Sequence, residues 1–172
     1  MENTKLVCDI LMVVIAALTA WISIRTWLRN TKLEKYRMIK DYLRVSREDK
    51  DVARFFYKVE YDERWYGTDF HGSELEPVVD KALTRYSYLI ELFNDKVVDE
   101  KGFESAKYEI TRILGNFDAQ AYLFNLRNFT TRVKTFFPYA DLVEYGKKEG
   151  ILDETFFNAE LGVKKYGKIL NW

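Results

Sequence analysis

The sequence predicts an all-α protein in which one N-terminal transmembrane helix continues into a cytoplasmic helical domain. Residues 6–28 form a single hydrophobic stretch. The chain of 172 residues contains only two prolines and eight glycines. No segment sustains the alternation of apolar and polar residues that is typical of β-strands. We therefore predict an anchor over residues 1–28 and a helical domain over residues 29–172.

The hydrophobic stretch is long enough to cross a bilayer. A helix of this length extends over roughly 34 Å, and the hydrocarbon layer is ~30 Å thick. The alternative is a signal peptide that is cleaved. Three observations favour a retained anchor. The chain starts with little charge, and Asp9 brings a carboxylate into the stretch. Trp21 and Trp27 also lie where small residues should precede a cleavage site.

The charges that flank the stretch predict its orientation. Lys5 precedes it, whereas the basic residues that follow it are Arg29, Lys32, Lys35, Arg37, Lys40, Arg44 and Arg47. The positive-inside rule then places the C-terminal domain of a single-pass protein in the cytoplasm. We expect indole and guanidinium groups at the inner membrane interface, from Trp21, Arg25, Trp27 and Arg29.

One side of the predicted membrane helix carries small and polar residues: Asp9, Ala16, Thr19, Ala20 and Ser23. Membrane helices associate through close backbone approach and polar contacts, so this stripe is a candidate packing face or pore lining. A carboxylate within a membrane helix marks a polar pathway or a contact with a partner. Alternatively, Asp9 lies near the outer interface and contacts headgroup water.

The spacing of apolar residues predicts the helices of the remaining chain. The first helix extends to about Val45, and a second follows from Ser46 to about Trp65. A loop is predicted over residues 67–72, and a capping box (Ser73 to Glu76) opens the next helix, which reaches Phe93. The following helix contains Phe103, is interrupted at Gly115 and Asn116, and continues to Arg132. A short helix from Pro138 to Tyr145, a turn over residues 146–150 and a final helix capped by Asp153 complete the prediction.

Composition limits the chemistry. The 27 basic and 27 acidic side chains balance, which argues against a broad nucleic-acid surface but leaves room for a local patch. We expect no DNA partner and leave RNA open. One histidine and one cysteine cannot build the usual zinc site, and there is no glycine-rich phosphate loop. No cofactor or metal is expected.

One pair of residues has the types and spacing of a catalytic motif. Arg64 precedes the only histidine, His71, with six residues between them. This spacing resembles the R-x(4–6)-H motif of HEPN-type ribonucleases, in which histidine moves protons and arginine holds the scissile phosphate. The chain departs from that family where Trp65 follows the arginine and where glycines predict a loop. The alternative is a surface histidine with a nearby arginine that pairs locally.

The anchor, the helical domain and the Arg64–His71 spacing together resemble the small membrane accessory proteins of type VI-B CRISPR loci. The resemblance implies a divergent HEPN-like domain with doubtful ribonuclease activity. It also implies a homo-oligomeric ring in the inner membrane that depolarises infected cells and enhances defence by an RNA-guided, RNA-cleaving nuclease.

The segment from Leu89 to Arg132 is similar to a broader class of bacterial proteins with one membrane helix. The alternatives are a membrane-tethered ribonuclease and a membrane-anchored adaptor that binds a protein partner.

Overall fold

The computed structural model describes residues 2–168, with the exception of the side chains of residues 2–6, Cys8, Asp9 and Ser46. Every regular element in this range is an α-helix, which confirms the predicted fold class. The helices are α1 (Glu2–Glu48), α2 (Lys50–Glu60), α3 (Glu76–Asn94), α4 (Glu100–Gly115), α5 (Phe117–Val133), α6 (Ala140–Lys148), α7 (Glu154–Phe157) and α8 (Ala159–Tyr166). The chain divides into two compact units, Met1–Ile39 and Lys40–Trp172.

The first unit consists of most of α1, whose apolar surface is uncovered. Ile10–Val45 is long and apolar enough to cross a membrane, and its most apolar part is not buried against the rest of the chain. Val13 is 68% exposed and Trp27 is 66% exposed. A signal sequence near the N-terminus would have the same length and composition. The fold therefore supplies a candidate membrane span.

The second unit is built around α3 and α5. Helix α3 packs against α2, α4 and α6, and α5 packs against α4 and α8. Residues 118–125 of α5 are buried without a break, including polar ones. Two of these polar side chains are hydrogen-bonded within the unit. Gln120 donates to the Leu114 carbonyl at 2.7 Å and accepts from the Tyr166 hydroxyl at 2.9 Å, and Asn125 donates to the Ala121 carbonyl at 2.9 Å. The interior of this unit therefore includes a hydrogen-bonded layer.

Several predicted boundaries are confirmed and others are wrong. The interruption at Gly115 and Asn116 is confirmed, because Asn116 ends α4 and accepts the N–H of Ala119 at the start of α5. Helix α2 ends at Glu60, short of Trp65, and Asp62 beyond it has a φ of 51°. The chain then forms a loop, and α3 begins at Glu76.

The structure differs from three further predictions: the capping box before α3, the position of Gly146 in a turn, and a single final helix. The residue before α3 is Leu75, which has no side-chain cap, and the Ser73 hydroxyl accepts the Leu75 N–H instead of starting a helix. Gly146, predicted in a turn, lies within α6, and the missing Cβ leaves room for Leu152. The predicted final helix is two helices, because Asn158 ends α7 and caps α8.

The junction between α1 and α2 is an ionic cluster around Asp49. The Asp49 carboxylate accepts the N–H groups of Asp51 and Val52 and lies 2.7 Å from Lys81 Nζ and 2.9 Å from Arg85 Nη2. The hydrogen bond from Lys81 outweighs burial and lowers the pKa of Asp49 to about 2. The cluster joins the start of α2 to α3.

The low pKa of Asp49 predicts a pH-dependent stability. We expect Asp49→Asn, which keeps a capping oxygen but removes the charge, to lower the free energy of unfolding at about pH 6. The unfolded carboxyl titrates near its ordinary value, so the stability contributed by the charge is full above about pH 4 and is lost as the pH falls towards 2. Urea unfolding of both proteins across this range measures the difference, and a difference that stays constant down to about pH 2 would contradict the prediction.

A glycine pair tests the packing of α8 on α5. A Cβ at Gly162 would overlap the ring of the buried Phe124, so we expect Gly162→Ala to lower the free energy of unfolding by about 1–3 kcal/mol. A Cβ added at Gly115 would meet nothing within 4 Å apart from its chain neighbours and its own helix backbone. Gly115→Ala is therefore the matched control and should be neutral or stabilising. Equal effects of the two substitutions in thermal unfolding would refute this packing.

Candidate functional site

The predicted packing stripe lies on the uncovered surface of α1. Ala16, Thr19, Ala20 and Ser23 are all exposed. The Thr19 hydroxyl donates to the Ile15 carbonyl at 2.8 Å, so its polarity is satisfied within the helix and it can face lipid or another helix. The side chain of Asp9 lies outside the described residues, and its two alternatives stay predictions.

Two of the residues predicted at the membrane interface contact each other. The Arg25 guanidinium lies 4.7 Å from the ring centroid of Trp21, one turn away on α1. Trp27 and Arg29 are also exposed. A cation held over an indole face is a grouping suited to the headgroup region, where the ring is partly buried and the charge meets phosphates.

Arg64 lies in the loop between α2 and α3 and is held by α5. Its Nε is 3.2 Å from Asp118 Oδ1, and its guanidinium lies 4.7 Å from the centroid of the Phe117 ring. The Arg64 side chain is 72% exposed, whereas that of Asp118 is 2% exposed. The charge of this arginine is therefore partnered by a buried carboxylate at the first turn of a helix.

Asp118 fixes the start of the loop as well as the arginine. Its Oδ2 accepts the backbone N–H groups of Trp65 at 2.5 Å and Tyr66 at 3.0 Å. A carboxylate near a helix N-terminus also interacts favourably with the helix dipole. The sequence analysis did not predict a role for Asp118. The signal that could have indicated it is an acidic residue in the first turn of the helix that follows the predicted interruption at Asn116.

His71 is held by a different helix. Its Nδ1 is 2.7 Å from Glu76 Oε1, and Glu76 Oε2 accepts the Gly72 N–H at 2.7 Å. Burial acts to raise the pKa of Glu76, but the bonds from Gly72 and His71 outweigh it and leave the pKa below its ordinary value. A carboxylate charged in this way orients the imidazole ring. The pair closes the loop at the beginning of α3.

A cluster of buried aromatic rings fills the loop. Trp65, Tyr66, Phe70 and Tyr122 are each less than 9% exposed, and the His71 ring contacts three of them. Burial raises the pKa values of Tyr66 and Tyr122, so both hydroxyls stay protonated. The cluster gives the loop its own small core.

Arg64 and His71 are held by two different helices. Each is paired with its own carboxylate, one on α5 and one on α3. Their role as a catalytic pair stays a prediction. Among the described residues, no group of three or more histidine, cysteine, aspartate or glutamate side chains is placed to hold a metal ion.

Comparison with family models, with curated proteins and with solved structures finds no match to this chain. The site is therefore interpreted from its own residues.

The loop contacts predict a large effect of one substitution. Asp118→Ala removes the acceptor for two buried N–H groups and the partner of Arg64, so we expect it to lower the free energy of unfolding by about 2–4 kcal/mol. Asp69→Ala, at an exposed position in the same loop, is the control and should change it by less than about 0.5 kcal/mol. Chemical denaturation measures both, and similar values would rule out this role for Asp118.

Proposed function

We propose that this protein forms a homo-oligomeric pore in the bacterial inner membrane, with α1 as its membrane-spanning helix and the helical domain in the cytoplasm. The observation that carries the proposal is the uncovered apolar surface of α1, which contains a stripe of small and polar residues. One helix cannot enclose a water-filled path, because backbone atoms fill its interior and leave no lumen. A pore built from this span therefore requires several copies.

The stripe on α1 supports self-association. Ala16 and Ala20 lie one turn apart and lack bulk, so a neighbouring backbone can approach closely. Thr19 and Ser23 flank them with hydroxyl groups. The larger side chains of Leu11, Leu18 and Ile22 lie on other faces and are suited to lipid tails. In the proposed ring, the stripe faces adjacent copies or the axis.

The basic and aromatic residues after the stripe support the proposed orientation. Trp21 with Arg25, and then Trp27 with Arg29, would lie at the cytoplasmic headgroups. The partners implied are the bilayer and further copies of the same chain.

We further propose that the pore serves antiviral defence beside an RNA-guided, RNA-cleaving nuclease. The support is the resemblance in architecture to the accessory proteins of type VI-B CRISPR loci. Opening of a ring of this kind would dissipate the membrane potential of an infected cell. Phage plating on cells that carry the nuclease and a matching guide, with and without this protein, tests the link.

We propose that the domain is divergent HEPN-like and that Arg64 and His71 serve its structure. Both side chains are bound to carboxylates that hold the loop, as described for Asp118 and Glu76. If the protein were instead a membrane-tethered ribonuclease, Arg64→Ala and His71→Ala would abolish RNA cleavage without loss of assembly. RNA left intact by the wild-type protein would exclude that alternative.

A matched pair of substitutions tests the pore. We expect the wild-type protein in detergent to sediment as a closed oligomer and Ala16→Leu to disrupt it, because added bulk separates the helices. Ala17→Leu makes the same change about 100° around the helix and should leave the oligomer intact. Analytical ultracentrifugation measures the assembly, and electron microscopy shows whether the particles are rings.

Ion leak is the second readout. Vesicles that contain the wild-type protein should lose an imposed potassium gradient faster than vesicles that contain Ala16→Leu. A wild-type protein that remains monomeric at micromolar concentration would sink the proposal. A stable complex with another protein and no conductance would favour the adaptor instead.

A further inference from the structure

The outward side of α2 carries a group of residues that the proposed pore does not use. Lys50, Arg54 and Lys58 follow one another at intervals of one turn, and Tyr57 and Tyr61 lie on the same side. We call these five residues the α2 outer face. The opposite side of the helix is buried through Val52, Phe55 and Val59. The α2 outer face is thus fixed to the domain by its own hydrophobic side.

The cations of the α2 outer face are only partly neutralised. Within residues 2–168, no described carboxylate lies within 4 Å of the charged groups of Lys50 or Arg54, and both side chains are exposed. Lys58 Nζ lies 2.9 Å from the Glu63 carboxylate. In a domain whose charges otherwise balance, this face therefore presents a local positive potential.

The tyrosines of the α2 outer face are nearly parallel to each other. Their ring centroids are 6.3 Å apart and their planes differ by 17°. Tyr57 is 59% exposed and Tyr61 is 72% exposed. By contrast, the exposed Tyr108 nearby is held by a 2.6 Å hydrogen bond to Glu60. Two parallel rings that stand open to solvent present π-faces to a planar ligand.

Hollows lie on both sides of Tyr57. One, of about 460 Å³, is lined by three cations, Lys50, Arg54 and Lys58, and by one carboxylate, Glu63, which is paired with Lys58. The other, of about 260 Å³, has the aromatic walls Phe56 and Tyr86 and contains Glu109, which binds Arg47 at 2.9 Å and the Tyr86 hydroxyl at 3.0 Å. The two hollows share Ala53 and Tyr57, so a basic surface adjoins an aromatic one.

We infer that the α2 outer face binds single-stranded nucleic acid. The phosphates lie along Lys50, Arg54 and Lys58, and bases stack on Tyr57 and Tyr61. Cations one turn apart are separated by ~6 Å along the helix, and the three together extend over ~12 Å, which is more than a single phosphate group needs. Stacking on tyrosine is independent of sequence, because every base has a π-face.

The tyrosines favour this ligand over other polyanions. An acidic peptide or an anionic lipid headgroup would satisfy the cations but would leave two parallel aromatic rings without a planar partner. Only a nucleic acid with unpaired bases supplies regularly spaced negative charges and flat aromatic groups together. The inference does not depend on the proposed pore, because all of its residues lie in the second unit.

Fluorescence anisotropy with the full-length protein in a zwitterionic detergent tests the inference. The probe is a fluorescein-labelled oligouridylate of about 12 nucleotides. We expect Tyr57→Ala to weaken binding roughly 5- to 100-fold. Tyr57→Phe should retain binding, because stacking needs no hydroxyl. Tyr88→Ala, an exposed tyrosine on α3, is the matched control and should have no effect.

The charge contribution is tested separately. Lys50→Glu combined with Arg54→Glu should weaken binding and reduce the slope of log affinity against log salt concentration by about 1.4. Lys101→Glu combined with Lys148→Glu changes two exposed lysines elsewhere and should leave the slope unchanged.

Three outcomes would overturn the inference: no binding at low salt, Tyr57→Ala binding as tightly as the wild type, and poly-glutamate competing as well as the oligonucleotide. Sedimentation of the same variants distinguishes the nucleic-acid site from the proposed pore. A variant that loses oligonucleotide binding but still sediments as the oligomer affects the site alone and leaves the pore proposal intact.

Discussion

The apolar surface of α1 is the constraint on which the rest of the interpretation depends. Helix α1 carries exposed leucine, isoleucine, valine and tryptophan side chains around its circumference, and the remainder of its own chain does not cover them. Water disfavours a surface of this extent, so the helix requires lipid or other protein around it. In the proposed pore, several copies would associate in a bilayer through Ala16 and Ala20 and turn their larger side chains towards the lipid. That proposal links function to assembly, because conduction would be a property of several copies together.

The helical domain depends on a different kind of interaction, in which buried or partly buried carboxylates join one segment to another. Asp118 holds the loop after α2 at the start of α5, and Asp49 joins α2 to α3, so both connect segments distant in sequence. Glu76 acts more locally and holds His71 at the start of α3. A carboxylate can accept several hydrogen bonds, so each one organises backbone and side chains together. The only histidine of the chain and its nearby arginine are both paired within this framework.

The α2 outer face shows how a neutral domain can still offer a charged site. Two acidic residues of the framework pair with cations: Asp118 with Arg64, and Asp49 with Lys81 and Arg85. Lys50 and Arg54 are left facing solvent beside two open tyrosine rings. Net charge therefore describes solubility well but says little about where a polyanion could bind.

The sequence by itself determined the all-α class, the apolar first helix and most helix positions, because these follow from the spacing of apolar residues and from residues such as Asn116 that cap helices locally. It could not determine the partner of Arg64, since Asp118 lies more than fifty residues away along the chain and ion pairs over such distances depend on how helices pack. The partner of His71 is only five residues away, but Glu76 was expected to close a capping box and instead accepts from the histidine and from Gly72. The early end of α2, the placement of Gly146 within α6 and the division of the last helix were likewise decided by tertiary structure, where buried aromatic rings and side-chain caps outweigh local helix propensity.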